Sequence, residues 1–421
     1  MRTGHGVFTS RRSIDGDSGS SGRPGRPGRS RVTAVAVLAA LLAGGAAAGC
    51  TGGGQASAPP SPVPALSPAW QAVTLPVPPG GPGRLMVRDA TVCGGRWVLV
   101  GAVAAADGGT RPAAWTAPDG QAWQPVALHP KTFYGEQDVL YSVGCAGDRV
   151  AVLGAKSGGA HGNPRVSSWY SAADGSLVEV TAYFELYGGN DAVNVARVRG
   201  GQRGFAIAGN RKSGAAVWLS PDATEFTLLE GAPQLASDDG GRTVANDVTA
   251  TADGWLEVGA VTPAGRIDRD PLAWTSADGR SWQRVPGPAT SAYEEFGRVV
   301  TAAGVPVAVG LRGDVFGAWR LVGGAWQDAG GFDRTDGPTA WVPAVAAAGP
   351  AVLAVVSDAV DFRLWLSPEA GRWAPVTLPA ALTAKGDAAA GVAAAGGRMV
   401  LLADDGTAGR VWLADLPIRV G

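Results

Sequence analysis

Residues 246–285 read NDVTATADGWLEVGAVTPAGRIDRDPLAWTSADGRSWQRV. Residues 246–252 alternate loosely between apolar and polar and run into Asp253-Gly254. Residues 255–261 are apolar and partly β-branched, with a glycine at 259. A polar stretch follows, then a third apolar run at 272–276, a tight turn at 277–279 and a fourth run at 281–285. An Asp-Gly pair between apolar runs signals a hairpin, because its turn needs positive φ. The segment predicts four antiparallel strands, A to D.

The same frame recurs along the chain. Strand B reads Trp97-Val98-Leu99-Val100-Gly101, then Val150-Ala151-Val152-Leu153-Gly154, Phe205-Ala206-Ile207-Ala208-Gly209 and Pro306-Val307-Ala308-Val309-Gly310. Strand C carries Trp115, Trp169, Trp218, Trp274, Trp319, Trp365 and Trp412, at intervals of 54, 49, 56, 45, 46 and 47 residues. A fixed period of this size means one supersecondary unit copied many times. Four-stranded units of this length predict an all-β fold, a seven-bladed β-propeller of antiparallel blades. A β-solenoid is the second choice, and its repeats are usually shorter. In most copies a second aromatic or Leu follows the strand C Trp by eight residues, which predicts a facing pair across the C–D hairpin. After Trp412 the chain ends without a fourth strand. Residues 70–76 (WQAVTLP) match residues 373–379 (WAPVTLP) at five of seven positions, so an N-terminal strand at about 69–76 is expected to complete the last blade.

Charge narrows the partners. The formal net charge is −1, but residues 1–49 carry a net +5 and the rest a net −6. A mildly acidic body offers no footprint for a phosphate backbone, so nucleic acid is excluded as a partner. Fifteen tryptophans outnumber nine Phe and six Tyr, which makes Trp the repeated packing element.

Residues 1–49 contain a long basic segment and then the apolar run VTAVAVLAALLAGGAAAG, which is followed by Cys50. That order is expected of a secretory signal. Ala47-Ala48-Gly49-Cys50 resembles a bacterial lipobox, and the chain resembles an actinobacterial-type lipoprotein. The resemblance implies diacylglyceryl transfer to the Cys50 sulfur, cleavage before it, and palmitate-type acylation of the new amino group. A plain transmembrane anchor is the alternative for this run. Residues 50–68, rich in Gly, Pro and Ser, form a tether of up to roughly 50 Å. Residues 69–421 are the propeller domain. The expected location is the outer face of the cytoplasmic membrane, with the membrane as a partner through the lipid.

Strings such as Ser276-Ala277-Asp278-Gly279-Arg280-Ser281-Trp282 resemble degenerate Asp-box (BNR-type) repeats. In that family the box is a structural turn away from the ligand face. Cys93 and Cys145 end strand A of consecutive blades. An oxidising compartment favours a disulfide between them over two buried free thiols.

No metal site and no cofactor is expected, because no His or Cys pair has zinc spacing and no nucleotide-binding string is present. His129 and His161 are isolated loop residues. The variable D–A loops hold Tyr134, Tyr187 and Tyr293 beside Glu136, Asp138, Asp191 and Glu294, and Asp247 is expected at the start of strand A, as is Asp89. Aromatics beside carboxylates suit sugar stacking or a protein contact. They also suit a structural role, since an Asp at a strand start caps its own turn. The expected function is a monomeric, non-catalytic binding or scaffold module for an envelope protein or glycan. The alternative is a sialidase-like glycoside hydrolase or lyase, which needs paired carboxylates and, for sialic acid, an arginine cluster on the channel face.

Overall fold

The computed structural model describes residues 63–158, 164–335 and 339–418. Residues 1–62, which include the signal segment, Cys50 and most of the tether, lie outside the described residues, as does His161.

Seven sheets follow one another, each built on an antiparallel A-B-C-D order. Strand A is Arg84–Cys93, Val139–Ala146, Ala192–Gly201, Gly241–Thr251, Glu294–Ala302, Trp341–Ala348 and Ala389–Ala395 in blades 1 to 7. The A strands of neighbouring blades touch all the way round, and the last touches the first, so the ring is closed. The protein is a seven-bladed β-propeller. In blade 7 the fourth strand is Gln71–Val73, which pairs with Gly409–Asp415 through Ala72 opposite Trp412. Just upstream, Leu66 bridges Val376 of blade 6 in parallel, and the Trp70 Nε1 donates to the Thr377 carbonyl at 2.7 Å. The closing segment therefore touches two blades.

The core is divided among the seams. Seven main apolar clusters each lie between two neighbouring blades, as where Ala206, Ala208 and Val217 of blade 3 meet Trp255, Leu272 and Trp274 of blade 4. The strand C tryptophans fill these seams, and five of them, Trp115 to Trp319, are almost completely buried. A buried indole N–H must find an acceptor. Trp115 donates to the Pro76 carbonyl, Trp218 to Leu186, Trp274 to Gln234 and Trp365 to the Asp333 carboxylate, at 2.6 to 3.1 Å. The first three acceptors lie on the segment leading into that Trp's own blade, and Asp333 lies near the end of strand D of the blade before. The repeated Trp is thus both a wedge between blades and a peg for its blade's incoming loop.

The expected pairing of the second Trp with the first does not form. Trp115 faces Pro125 and Trp274 faces Arg284 across the hairpin. The Asp at the turn explains this. Asp278 Oδ1 accepts the N–H groups of Arg280 and Ser281, both at 2.8 Å, and Asp119 does the same for Gln121 and Ala122. This lengthens the turn, so Trp123 and Trp282 sit within it and close it by donating to Gly120 and Gly279 carbonyls at 2.8 and 2.9 Å. Gly279 has φ +76°, and a Cβ there would come within 2.7 Å of Leu219 on the preceding blade.

Strand A is bulged in blades 1 to 6, with register breaks such as Val87/Asp89, Ala245/Asp247 and Phe296/Arg298. In blades 1 to 5 the strand B residue opposite the break is the recurring glycine: Gly101, Gly154, Gly209, Gly259 and Gly310. A Cβ on Gly101, Gly259 or Gly310 would collide with the strand A carbonyl of Met86, Val244 or Glu295. The glycine makes room for the bowed strand, and the bow re-aims the next side chains.

Cys93 and Cys145 form a disulfide between blades 1 and 2, with Cα atoms 5.4 Å apart.

Candidate functional site

The bulges place Asp89, Ser142, Arg197, Asp247 and Arg298 just after the register break in blades 1 to 5. Asp89 and Asp247 therefore lie within strand A, and the expectation that they stand at its start is corrected. The extra residue of the bulge carries them inward. Asp89 accepts the Val143 N–H of the next blade at 3.0 Å, Ser142 accepts that of Val198 at 3.1 Å, and Asp247 accepts that of Val299 at 3.3 Å. Each side chain staples its blade to the following one.

Three arginines complete this central network. Arg197 reaches Asp89 at 3.1 Å and the Pro343 carbonyl of blade 6 at 2.9 Å. Arg199 stands 3.7 Å from both Asp89 and Asp247. Arg298 donates through Nε to Pro343 at 3.1 Å and through Nη1 to Gly297 and Asn246 carbonyls. Burial and the neighbouring Arg197 push the Arg298 guanidinium down to about 9. A separate ion cluster crosses the seam between blades 7 and 1. There Arg88 meets Asp404 at 2.5 Å and Asp387 at 2.8 Å, and Arg84 meets Asp404 at 2.6 Å.

The D–A loop candidates divide into three groups. Tyr134 and Glu136 are exposed, at the start of a short 3-10 turn, Gly135–Gln137. Phe133 packs edge-on against Tyr134 at 5.5 Å between centroids. The Arg165 guanidinium, at the start of strand C, sits 4.3 Å from the Phe184 ring centre and 5.5 Å from that of Tyr134. Phe133, Tyr183 and Phe184 are 70%, 64% and 53% exposed, so blades 2 and 3 present a joint aromatic surface around Arg165. Of these residues the sequence singles out Tyr134 alone, and Arg165 carries no signal in it.

The second group supports its own loops. Asp138 is fully buried and accepts from Ser167 and from the Trp169 indole, and burial raises its carboxyl to about 7. Tyr187 is turned under its loop, 6.1 Å from Trp218. Glu294 is buried and accepts the Thr290 N–H at 2.8 Å. Glu179, another buried carboxylate, accepts the Lys131 and Thr132 N–H groups and the Thr132 hydroxyl at 2.6 to 2.9 Å, which fixes the loop beneath Phe133 and Tyr134.

The third group lies apart. Tyr293 donates its hydroxyl to Glu295 at 2.9 Å, and Glu295 also pairs with Arg269 at 2.7 Å. Asp191 is exposed, with Lys212 3.9 Å away. The eight candidates therefore do not converge on one cleft. Among the described residues, no group of His, Cys, Asp and Glu is arranged to hold a metal ion.

Fold and surface together define a β-propeller with a charged centre and an aromatic patch on its D–A face. No family model matches the chain, and no curated protein does. Solved structures do. YCF48 bound to a D1 peptide is similar at a TM-score of 0.50 and 13% identity, over 84% of this chain and 97% of that one. The β-propeller domain of the Trilobed protease from Pyrococcus furiosus, described as having an open velcro topology, gives 0.47 and 12% over 81% and 98%. Trypanosoma rangeli sialidase in complex with 2,3-difluorosialic acid gives 0.43 and 12% over 83% and 59%. Identities this low speak for the fold alone.

Proposed function

We propose that the chain is a lipid-anchored, extracytoplasmic propeller that works as a non-catalytic binding module for an envelope protein. The observation that carries this reading is the patch of Phe133, Tyr134, Tyr183 and Phe184 around Arg165. Large apolar rings held out of the core by a fixed loop are what a protein hot spot requires. A solved propeller similar to this one, YCF48, carries a bound D1 peptide, which suits a protein segment as ligand. A sialidase-like activity is disfavoured because Asp138 and Glu257 are sealed from solvent.

A photo-crosslinking residue at position 133 or 184 in living cells tests the surface. Adducts are expected from those positions and not from 322, an exposed valine on the opposite C–D side of blade 5. Equal adducts from all three, or turnover of a fluorogenic sialoside, would remove the proposal. The anchor is tested separately by metabolic labelling with a clickable palmitate analogue, expected on the wild type and lost in Cys50→Ser.

A further inference from the structure

The two ionic clusters at the ring's centre differ in balance. At the seam between blades 7 and 1, two arginines (Arg84, Arg88) meet two aspartates (Asp387, Asp404), and the cluster is neutral. In the channel, three arginines (Arg197, Arg199, Arg298) meet two aspartates (Asp89, Asp247), which leaves one positive charge in excess. The three come from blades 3 and 5, with Asp247 of blade 4 between them. Arg199 makes only long contacts to both aspartates, at 3.7 Å. Arg298 faces carbonyl oxygens of Pro343, Asn246 and Gly297 and no carboxylate within bonding distance. Among the described residues its Nη2 has no hydrogen-bond partner. Carbonyls orient a guanidinium but do not neutralise it, and in a confined, weakly solvated space an uncompensated like-charge group is costly. The lowered proton affinity of Arg298 agrees with this. The side chains of Arg197 and Arg199 keep 14% and 21% of their exposure, so the cluster is reachable from solvent.

We propose that the channel binds one small monoanion, chloride or a single carboxylate group, between Arg197, Arg199 and Arg298. The anion supplies the missing negative charge and joins blade 3 to blade 5 across the centre. Nothing in this depends on the aromatic patch or the lipid anchor.

Two measurements test it. Thermal unfolding of the full-length protein in a non-ionic detergent is followed at constant ionic strength as a bulky anion, 2-(N-morpholino)ethanesulfonate, is exchanged for chloride, or in a parallel series for formate. A saturable rise in Tm is expected with chloride. A matching rise with formate shows that the site takes carboxylates, and its absence restricts the site to inorganic ions. In Arg298→Gln and Arg199→Gln the specific rise should vanish. Crystals grown in sodium bromide provide a readout that needs no variant: an anomalous peak is expected within hydrogen-bond reach of the three guanidinium groups. A Tm that follows ionic strength alone, together with no bromide peak in the channel, overturns the proposal.

Discussion

Glu257 is a carboxyl with no reason to be ionised. It lies on strand B of blade 4, opposite Trp274, with no exposed surface and neither oxygen hydrogen-bonded among the described residues. Burial raises its proton affinity well above the ordinary value of 4.5. Above that value the unfolded chain releases the proton while the folded chain keeps it. The folded state then binds more protons, so stability falls as pH rises, by about 1.4 kcal/mol per unit while the group stays neutral. Below the unfolded value this loss is absent. A loss of this size over each unit is a large share of a typical folding free energy. Glu257→Gln keeps the shape and removes the titration, and Glu257→Met also removes the unsatisfied polar atoms, each such group costing about 1–3 kcal/mol. Urea unfolding of the soluble domain at pH 5, 6 and 7 checks this. The difference between Glu257→Gln and wild type should widen steadily with pH, and Glu257→Met should exceed wild type at pH 7. Parallel wild-type and Glu257→Gln profiles would show that the carboxyl is ionised in the fold and would refute the reasoning.

Three further outcomes are expected. Deleting residues 69–76 removes the fourth strand of blade 7 with half-buried Val73 and buried Leu75, at about 1.5–3 kcal/mol for each such side chain fully buried, and should sharply lower Tm in calorimetry. An unchanged melting temperature would mean that the ring closes without it. Cys93→Ser/Cys145→Ser should lose about 4 kcal/mol by the chain-entropy account for a separation of 52 residues, and non-reduced intact mass should show no alkylation of the wild type. Gly310→Ala should destabilise by more than about 2 kcal/mol in urea unfolding, because its Cβ meets the Glu295 carbonyl, whereas Gly323→Ala, in an open turn, should cost less.

Much of the architecture is legible because packing repeats. The strand C Trp reads as a period since every seam needs the same wedge, and the match of residues 70–76 to residues 373–379 shows which end supplies the last strand. The channel is not legible in that way. Asp89 and Asp247 read as strand-start residues because the bulge that moves them inward depends on tertiary crowding. The signal was present in the strand B glycines, whose missing Cβ marks where strand A bows. The loops show the opposite limit. Phe133, Tyr134, Tyr183 and Phe184 stay outside while Tyr187, three residues after Phe184, turns under to Trp218. Composition gives all five the same standing, and only the course of a four-residue helix, Phe184–Tyr187, separates them.

The clasp of the ring is also where the described chain begins. The described chain begins beside Leu66 on blade 6, completes blade 7 at Gln71–Val73, and only then enters blade 1. Under the proposed anchor, any pull between membrane and ligand is borne first by that clasp: the Leu66 bridge, the Trp70 indole on Thr377, and then the three paired residues of the closing strand. The propeller would then respond to tension as a mechanical fuse, opening at one seam while the other six stay packed.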